Sequence, residues 1–200
     1  MKIRQLLISF VMVLAFAATS NAVMIIDFYE SGSDVVVDGR GTINTTGLSF
    51  LTTLNSWADA EIGPGSGYIS SGPVAVPIYN YGGLVDEPFE TNDFGVGGMR
   101  SADIWSSNYY FGIFAVMGEL NIDQSYAGEE IIFSQTYLDE SLASLGMAAG
   151  TFEWIWDSDS IQMNITIDPP QAPVPEPATM LLLGGGLAGL AGIRRRAKKA

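Results

Sequence analysis

Cysteine and histidine are both missing from the 200 residues of this chain. The lack of cysteine excludes disulfides, a thiol nucleophile, covalent haem attachment and cysteine-ligated zinc. The lack of histidine excludes Ser-His-Asp and Cys-His catalysis and histidine-containing zinc or iron sites. The fold must therefore depend on its apolar core, and any chemistry must come from carboxylates, hydroxyl groups and aromatic rings.

Basic residues are scarce in the middle of the chain. Between Val23 and Pro177 only Arg40 and Arg100 are basic, whereas all 22 acidic residues lie in this segment, which gives it a net charge of −20. Such a charge opposes binding to nucleic acid or anionic lipid and favours solubility, cations or basic partners. A solvated acidic exterior is the simpler interpretation of the same charge.

The N-terminus has the pattern of a secretory signal peptide. Lys2 and Arg4 precede the apolar stretch Leu6–Ala18, and small residues lead up to Ala22. This pattern predicts a signal peptide over residues 1–22, cleaved between Ala22 and Val23 after the general secretion machinery has engaged it. The alternative is an uncleaved helix, but the apolar stretch is short for a membrane span.

The C-terminus combines a motif, an apolar run and a basic tail. The motif is Val174, Pro175, Glu176 and Pro177, and the tail over residues 194–200 contains Arg194, Arg195, Arg196, Lys198 and Lys199. The apolar run 178–193 has 16 residues and five glycines. As a transmembrane helix it would span roughly 24 Å of a hydrocarbon core about 30 Å thick, so it predicts a weak anchor. The basic tail predicts that residues before the motif lie outside the inner membrane.

This three-part C-terminus resembles the PEP-CTERM sorting signal of bacterial exosortase substrates. The resemblance implies an inner-membrane precursor that an exosortase-type enzyme cleaves near the motif. It also implies release or re-anchoring at the cell surface or in the extracellular matrix, often beside exopolysaccharide. The two prolines hold the motif extended and present Glu176 between them, although an ordinary anchor with a proline-rich stalk would look similar. The stretch Leu142–Ile167 is loosely similar to the end of mature domains in such proteins and implies no functional residue.

The segment between the two targeting signals predicts an all-β fold. Ile161, Met163, Ile165 and Ile167 alternate with polar residues, as in a strand with one buried face. The alternating stretch 152–157 precedes it, so we expect a hairpin that turns at residues 157–159. We predict a single β-sandwich, jelly-roll-like, over residues 23–167, followed by a proline-rich linker over residues 168–173.

Other elements follow from similar patterns. Further strands are predicted at Val23–Tyr29, Asp34–Val37, Gly41–Leu48, Val74–Tyr79, Tyr109–Gly118 and Glu130–Tyr137. One or two short helices are expected. Leucines recur at helical spacing in Leu138–Gly146, which predicts one helix there, and a second helical turn is expected around Leu51–Ala58. Long surface loops are expected at Gly63–Gly72 and Leu84–Gly98.

Clustered aspartates suggest a calcium site. Asp34 and Asp38 lie near Asn44 around a glycine-containing turn, and Asp157 and Asp159 flank the predicted hairpin turn. Calcium takes six to eight hard oxygen ligands, which such clusters supply, but the spacing is not that of an EF-hand. Turn-forming aspartates explain the same residues without a metal.

Carboxylate pairs also raise the possibility of a hydrolase. Glu87, Glu90 and Asp93, or Glu129 with Glu130, could act as the acid and base of a glycosidase. With so many acids in the chain, close pairs occur by chance, and no motif surrounds these. Exposed aromatic rings could stack on sugars, the candidates being Tyr68, Tyr79, Tyr81, Trp105, Tyr109 and Tyr110. Trp154 and Trp156 are expected in the core.

Together these features predict an exported surface or extracellular-matrix protein, sorted by an exosortase-type system, with a structural or binding role and no enzymatic activity. A calcium-assisted carbohydrate-binding module, with exopolysaccharide as a possible partner, is the first alternative. A carboxylate-based hydrolase is the second. No cofactor other than possible calcium is expected.

Overall fold

The computed structural model describes residues 23–56, 59–87 and 94–169. These residues form two seven-stranded β-sheets and contain no α-helix. The strands are β1 (Val23–Ser31), β2 (Asp34–Gly41), β3 (Ser49–Asn55), β4 (Glu61–Gly63), β5 (Tyr68–Ser71), β6 (Pro77–Gly82), β7 (Val85–Glu87), β8 (Arg100–Ser101), β9 (Ile104–Ser107), β10 (Phe111–Phe114), β11 (Glu119–Asp123), β12 (Ile131–Tyr137), β13 (Gly150–Trp156) and β14 (Asp159–Ile165). Single 3-10 turns lie at Pro64–Ser66 and Ala115–Met117. The all-β prediction is confirmed.

The two sheets differ in their strand order. Sheet A runs β7-β13-β14-β1-β2-β12-β9, and sheet B runs β3-β6-β11-β10-β5-β4-β8. Strands β1 and β14 pair in parallel, which brings the beginning and the end of the domain side by side. A jelly roll has eight antiparallel strands, so the strand number and this parallel pair set the sandwich apart from the expected jelly-roll order.

The core lies between the sheets. Strand β1 buries alternate residues, among them Met24, Ile26 and Phe28, as the period of two predicts. Phe111 of sheet B stacks on Phe133 of sheet A, with ring centroids 5.6 Å apart. Contacts of this kind fix the two inner faces against each other and leave the outer face of sheet A to solvent.

The predicted hairpin is confirmed. Strands β13 and β14 pair antiparallel around a two-residue turn, with Trp156 opposite Asp159. Ile161, Met163 and Ile165 are buried on one face of β14, as predicted. The prediction is wrong for Ile167, which lies beyond the end of the strand and is exposed. Trp154 is buried, as predicted for the core, and Trp156 is only partly buried.

The predictions for residues 41–55 are wrong. The expected strand Gly41–Leu48 is mostly a loop, and the described part of the expected helical turn at Leu51–Ala58 lies largely in strand β3. Asn44 explains the loop, because its backbone N–H and C=O groups form hydrogen bonds with side chains of the β13–β14 hairpin and not with a neighbouring strand. Its N–H donates to Asp159 Oδ2 at 2.6 Å, and its carbonyl accepts from Trp156 Nε1 at 2.7 Å. The loop is thus held against the β13–β14 hairpin instead of pairing in a sheet.

The helix predicted at Leu138–Gly146 is a series of turns. Asp139 adopts a left-handed backbone conformation with φ of 54°, which ends any helix between Leu138 and Leu142. Leu142 and Leu145 are buried, but Leu138 is exposed. The spacing of the leucines therefore does not mark one face of a helix. It places two buried side chains, those of Leu142 and Leu145, in an irregular loop.

The loop predicted at Gly63–Gly72 is also wrong, because it contains strand β5, whose four residues are all buried. The second expected loop, Leu84–Gly98, includes strand β7, while residues 88–93 lie outside the described part of the chain. Glycine-rich sequence misled the prediction in both cases. A glycine permits tight turns but does not prevent the residues beside it from pairing in a sheet.

The described residues include no helix long and apolar enough to cross a membrane. The predicted signal peptide over residues 1–22 lies outside the described residues, as do the predicted span and the basic tail. Most of the predicted linker, residues 170–173, also lies outside the described residues.

Candidate functional site

Sheet A carries a continuous line of polar side chains across its outer face, which we call the polar row. It takes one residue from each of six adjacent strands, and each residue lies opposite the next in the strand register. In spatial order the polar row consists of Thr151, Asn164, Asp27, Asp38, Ser134 and Ser106. At a strand spacing of about 4.8 Å the row is about 24 Å long.

The rows of side chains on either side of the polar row mix apolar with polar residues, Arg40 and Thr136 among the polar ones. Ile25 and Ile132 lie two residues along their strands in one direction, and Val36 and Ile104 do so in the other. Ile132 and Ile104 are both more than half exposed. A cavity of about 390 Å³ opens over the section between β1 and β9, lined by Asp27, Asp38, Gly39, Arg40, Ser106, Ile132, Phe133 and Ser134.

Neighbouring side chains hold the two carboxylates of the polar row. Asn164 Nδ2 donates to Asp27 Oδ1 at 2.8 Å, and Gln162 Nε2 donates to Asn164 Oδ1 at 2.8 Å. On the other side, Tyr29 OH donates to Asp38 Oδ2 at 2.7 Å. Partial burial, this hydrogen bond and the nearby carboxylates raise the pKa of Tyr29 to about 12. Tyr29 therefore remains a hydrogen-bond donor at neutral pH.

The two carboxylates face each other without an intervening cation. Asp27 lies directly opposite Asp38 in the antiparallel β1–β2 pair, and like charges at opposed positions destabilise a sheet. The nearest guanidinium, that of Arg40, instead pairs with Glu130 at 3.1 Å. The centre of the polar row is therefore a fixed negative site that suits hydroxyl donors or a cation.

The four aspartates predicted to bind calcium lie at three different places. Asp34 is about 13 Å along β2 from Asp38, and its Oδ1 accepts the backbone N–H of Asp139 at 3.0 Å. Asp38 belongs to the polar row. Asp157 is exposed in the hairpin turn, whereas Asp159 is buried and only 6% exposed.

Asp159 has a structural role in this arrangement. Its Oδ2 accepts the N–H of Asn44 at 2.6 Å and its Oδ1 accepts the N–H of Ser160 at 2.8 Å. Burial raises the pKa of Asp159 above its usual value, and these two bonds partly oppose the shift. No group of three or more acidic side chains within the described ranges is arranged to hold a metal. Calcium binding stays a prediction.

The carboxylate pairs proposed for a hydrolase gain no support. Hydrogen bonds from backbone N–H groups, that of Ala127 among them, lower the pKa of Glu129, whereas the acid of a glycosidase needs a raised pKa. Glu130 is ion-paired with Arg40. The backbone of Glu87 is in β7, and Glu90 and Asp93 fall outside the described residues.

The aromatic candidates for sugar stacking divide into two groups. Tyr68 and Tyr110 are buried, and burial raises the pKa of Tyr110 above its usual range. The others are partly or largely exposed, namely Tyr79, Tyr81, Trp105 and Tyr109. The rings of Tyr79 and Tyr81 each meet Phe50 edge-on, at 5.8 and 6.0 Å. None of these rings belongs to the polar row.

The sequence prediction identified only Asp38 among the residues of the polar row. Asp27, Asn164 and the hydroxyl residues were missed because their alignment depends on strand register. Register between strands far apart in sequence, such as β1 and β14, leaves no local pattern. The alternation of Asp27 with apolar residues showed only that its side chain faces solvent.

Comparison with known proteins identifies the C-terminal region. The family model of the PEP-CTERM protein-sorting motif matches residues 173–196. The match includes the predicted motif, the apolar run and the first three residues of the basic tail. No curated protein and no solved structure matches the chain significantly. The chain therefore carries a PEP-CTERM protein-sorting motif, which implies exosortase-dependent sorting to the cell surface.

Proposed function

We propose that this chain is an exosortase substrate whose mature domain serves at the cell surface or in the extracellular matrix as a structural or binding component, without catalysis. The sorting-motif match over residues 173–196 carries the proposal. The predicted signal peptide before the domain supports it, because both ends then serve one export route. The general secretion machinery moves the chain, and the inner membrane holds the precursor until an exosortase-type enzyme cleaves it.

The processing step is tested on the exported protein. Intact-mass spectrometry should find a chain that begins at Val23 and ends near Pro175–Pro177. The basic tail should be missing. A surface-released protein that still carries the tail Arg194–Lys199 would contradict exosortase cleavage.

The sorting motif is tested by substitution. Glu176→Ala and Pro175→Ala should leave export intact and block C-terminal processing, because Glu176 is the only charged side chain of the motif and the prolines fix its presentation. Unprocessed protein should collect in the inner membrane. Asp168→Ala, which removes an acid shortly before the motif, is the matched control and should be processed like the parent. Normal processing of both motif variants would mean that the motif is an ordinary stalk.

The polar row favours one binding role, a calcium-assisted carbohydrate-binding module. Its oxygen-rich centre and the exposed apolar side chains beside it suit the hydroxyl groups and the C–H faces of a saccharide. The length of about 24 Å, set by the strand spacing, leaves room for several sugar units. The opposed carboxylates Asp27 and Asp38 would accept hydrogen bonds from sugar hydroxyl groups or share a calcium ion with the sugar. The exopolysaccharide of the producing cell is the proposed ligand.

Retention of the exported chain on that polysaccharide tests this role. Asp38→Asn should weaken binding by roughly tenfold, since the loss of one charged acceptor is worth more than about 1 kcal/mol. Asp139→Asn makes the same change of charge away from the row and should bind like the parent. Retention is also measured with calcium, with a chelator, and with sodium chloride at the same ionic strength. An effect of calcium that sodium chloride does not reproduce indicates a bound ion and not charge screening. Unchanged retention of Asp38→Asn would exclude the polar row as the site.

A further inference from the structure

Strand β3 forms one edge of sheet B and is exposed along its whole length. Among the described residues it pairs only with β6. All seven of its residues, Ser49–Asn55, are exposed, including Phe50 at 56% and Leu51 at 50%. An edge strand presents unpaired N–H and C=O groups to its surroundings. Strand β3 adds apolar side chains to this edge.

The edge lacks the charged or proline residues that usually prevent strand pairing. Such edges are protected by charged side chains, proline, short strands or bulges. Strand β3 contains no charged residue and no proline, and no charged residue occurs between Arg40 and Asp59. The neighbouring strand β6 lies in a second uncharged stretch, between Glu61 and Asp86. One bulge at Leu51 is the exception.

The charge of the domain indicates which partner suits this edge. The segment Val23–Pro177 carries −20, so two copies repel each other at most surfaces. Its two cations are already engaged, Arg40 with Glu130 and Arg100 with Asp103. No unpaired cation of the described residues is therefore left to attract a second copy. At the β3 edge, however, there are also no carboxylates to repel it. A basic partner would instead be drawn to the acidic surfaces.

We propose that β3 is a self-association edge, at which β3 of one chain pairs antiparallel with β3 of a second copy. A two-fold axis makes this contact self-complementary and closed. It joins the two B sheets into one continuous sheet and covers Phe50, Leu51 and Leu54 of both chains. The proposal does not depend on the sorting motif or the polar row.

Sedimentation of the exported chain, from micromolar to millimolar concentration, tests the proposal. The parent should dimerise, and Thr52→Glu, which places like charges across the edge, should weaken dimerisation by roughly tenfold or more. Val96→Glu adds the same charge at a loop position that is 93% exposed and should leave dimerisation unchanged. Higher ionic strength should strengthen the parent dimer, because it screens repulsion between the acidic domains.

Hydrogen exchange provides a second measurement that does not require a variant. The outward-facing amides of Ser49–Asn55 should become protected as the concentration rises, whereas amides of the β13–β14 turn should not. A parent that is monomeric throughout, a Thr52→Glu variant that dimerises like the parent, or edge amides with no concentration-dependent protection would each overturn the proposal.

Discussion

Replacing Asp159 should destabilise the domain more than replacing any exposed aspartate. The substitution Asp159→Ala removes the acceptors of two backbone N–H bonds, from Asn44 at 2.6 Å and Ser160 at 2.8 Å. Hydrogen bonds to a charged group contribute about 1.5 to 3 kcal/mol each. Relief of the buried charge offsets part of this loss, so we expect a decrease of about 3 kcal/mol in the free energy of unfolding.

Urea denaturation measures this loss of stability directly. An unchanged dependence of the unfolding free energy on urea concentration would show that the variant still unfolds in a two-state manner. For a domain of this size a change of about 3 kcal/mol corresponds to a fall in Tm of about 6 to 12 °C. Asp157→Ala is the matched control in the same turn, where the side chain is exposed, and its effect should stay within about 0.5 kcal/mol. Equal stabilities for the two variants would refute the role of Asp159 in holding the loop before β3.

The pH dependence of the same variants has a defined sign. Burial raises the pKa of Asp159 above 3.8, so the folded state binds this proton more tightly than the unfolded state does. The resulting stabilisation is present below the unfolded pKa and is lost as pH rises through the folded pKa. Asp159→Asn cannot titrate, so the stability of the parent relative to this variant should fall as pH rises above 3.8. A constant difference from strongly acidic to neutral pH would contradict the assignment.

Two further predictions concern the strands beneath the polar row. Gly39→Ala should lower the free energy of unfolding, measured in urea, by about 2 to 3 kcal/mol. The reason is that its new Cβ would lie 2.2 Å from Phe133 Cε1. Gly98→Ala is the neutral control, because a Cβ at that position meets no atom within 4 Å. Tyr29, whose pKa is raised from 10.0 to about 12, should make the parent lose stability as pH rises between those values. Tyr29→Phe should lose less over that range in unfolding monitored by circular dichroism, and an identical loss in both proteins would contradict the Tyr29–Asp38 bond.

Sequence patterns predicted strands well where one face is buried and the other is solvated. Strand β14 shows this clearly, since Ile161, Met163 and Ile165 alternate with polar residues and point into the core. The same reasoning failed where burial does not alternate. All four residues of β5 are buried and all seven of β3 are exposed, so neither strand has the period of two that marks a half-buried strand.

The candidate site was less predictable than the fold. Asp27 and Asn164 are 137 positions apart and meet only because β1 and β14 pair in parallel. A shift of one residue in that pairing would place Asn164 on the buried face and break the polar row. The individual polar residues could be predicted to face solvent, but their alignment depends on the register of six strands.

The two proposed surfaces differ in charge and lie on different sheets. The polar row of sheet A has opposed carboxylates at its centre, whereas the β3 edge of sheet B is uncharged over its whole length. A dimer formed through β3 would therefore leave both polar rows free, and each dimer would offer two saccharide sites. Because linked sites raise apparent affinity through effective concentration, weak binding at each row would suffice for firm attachment. Such a dimer could join two polysaccharide strands, which agrees with the structural or binding role proposed for this chain at the cell surface.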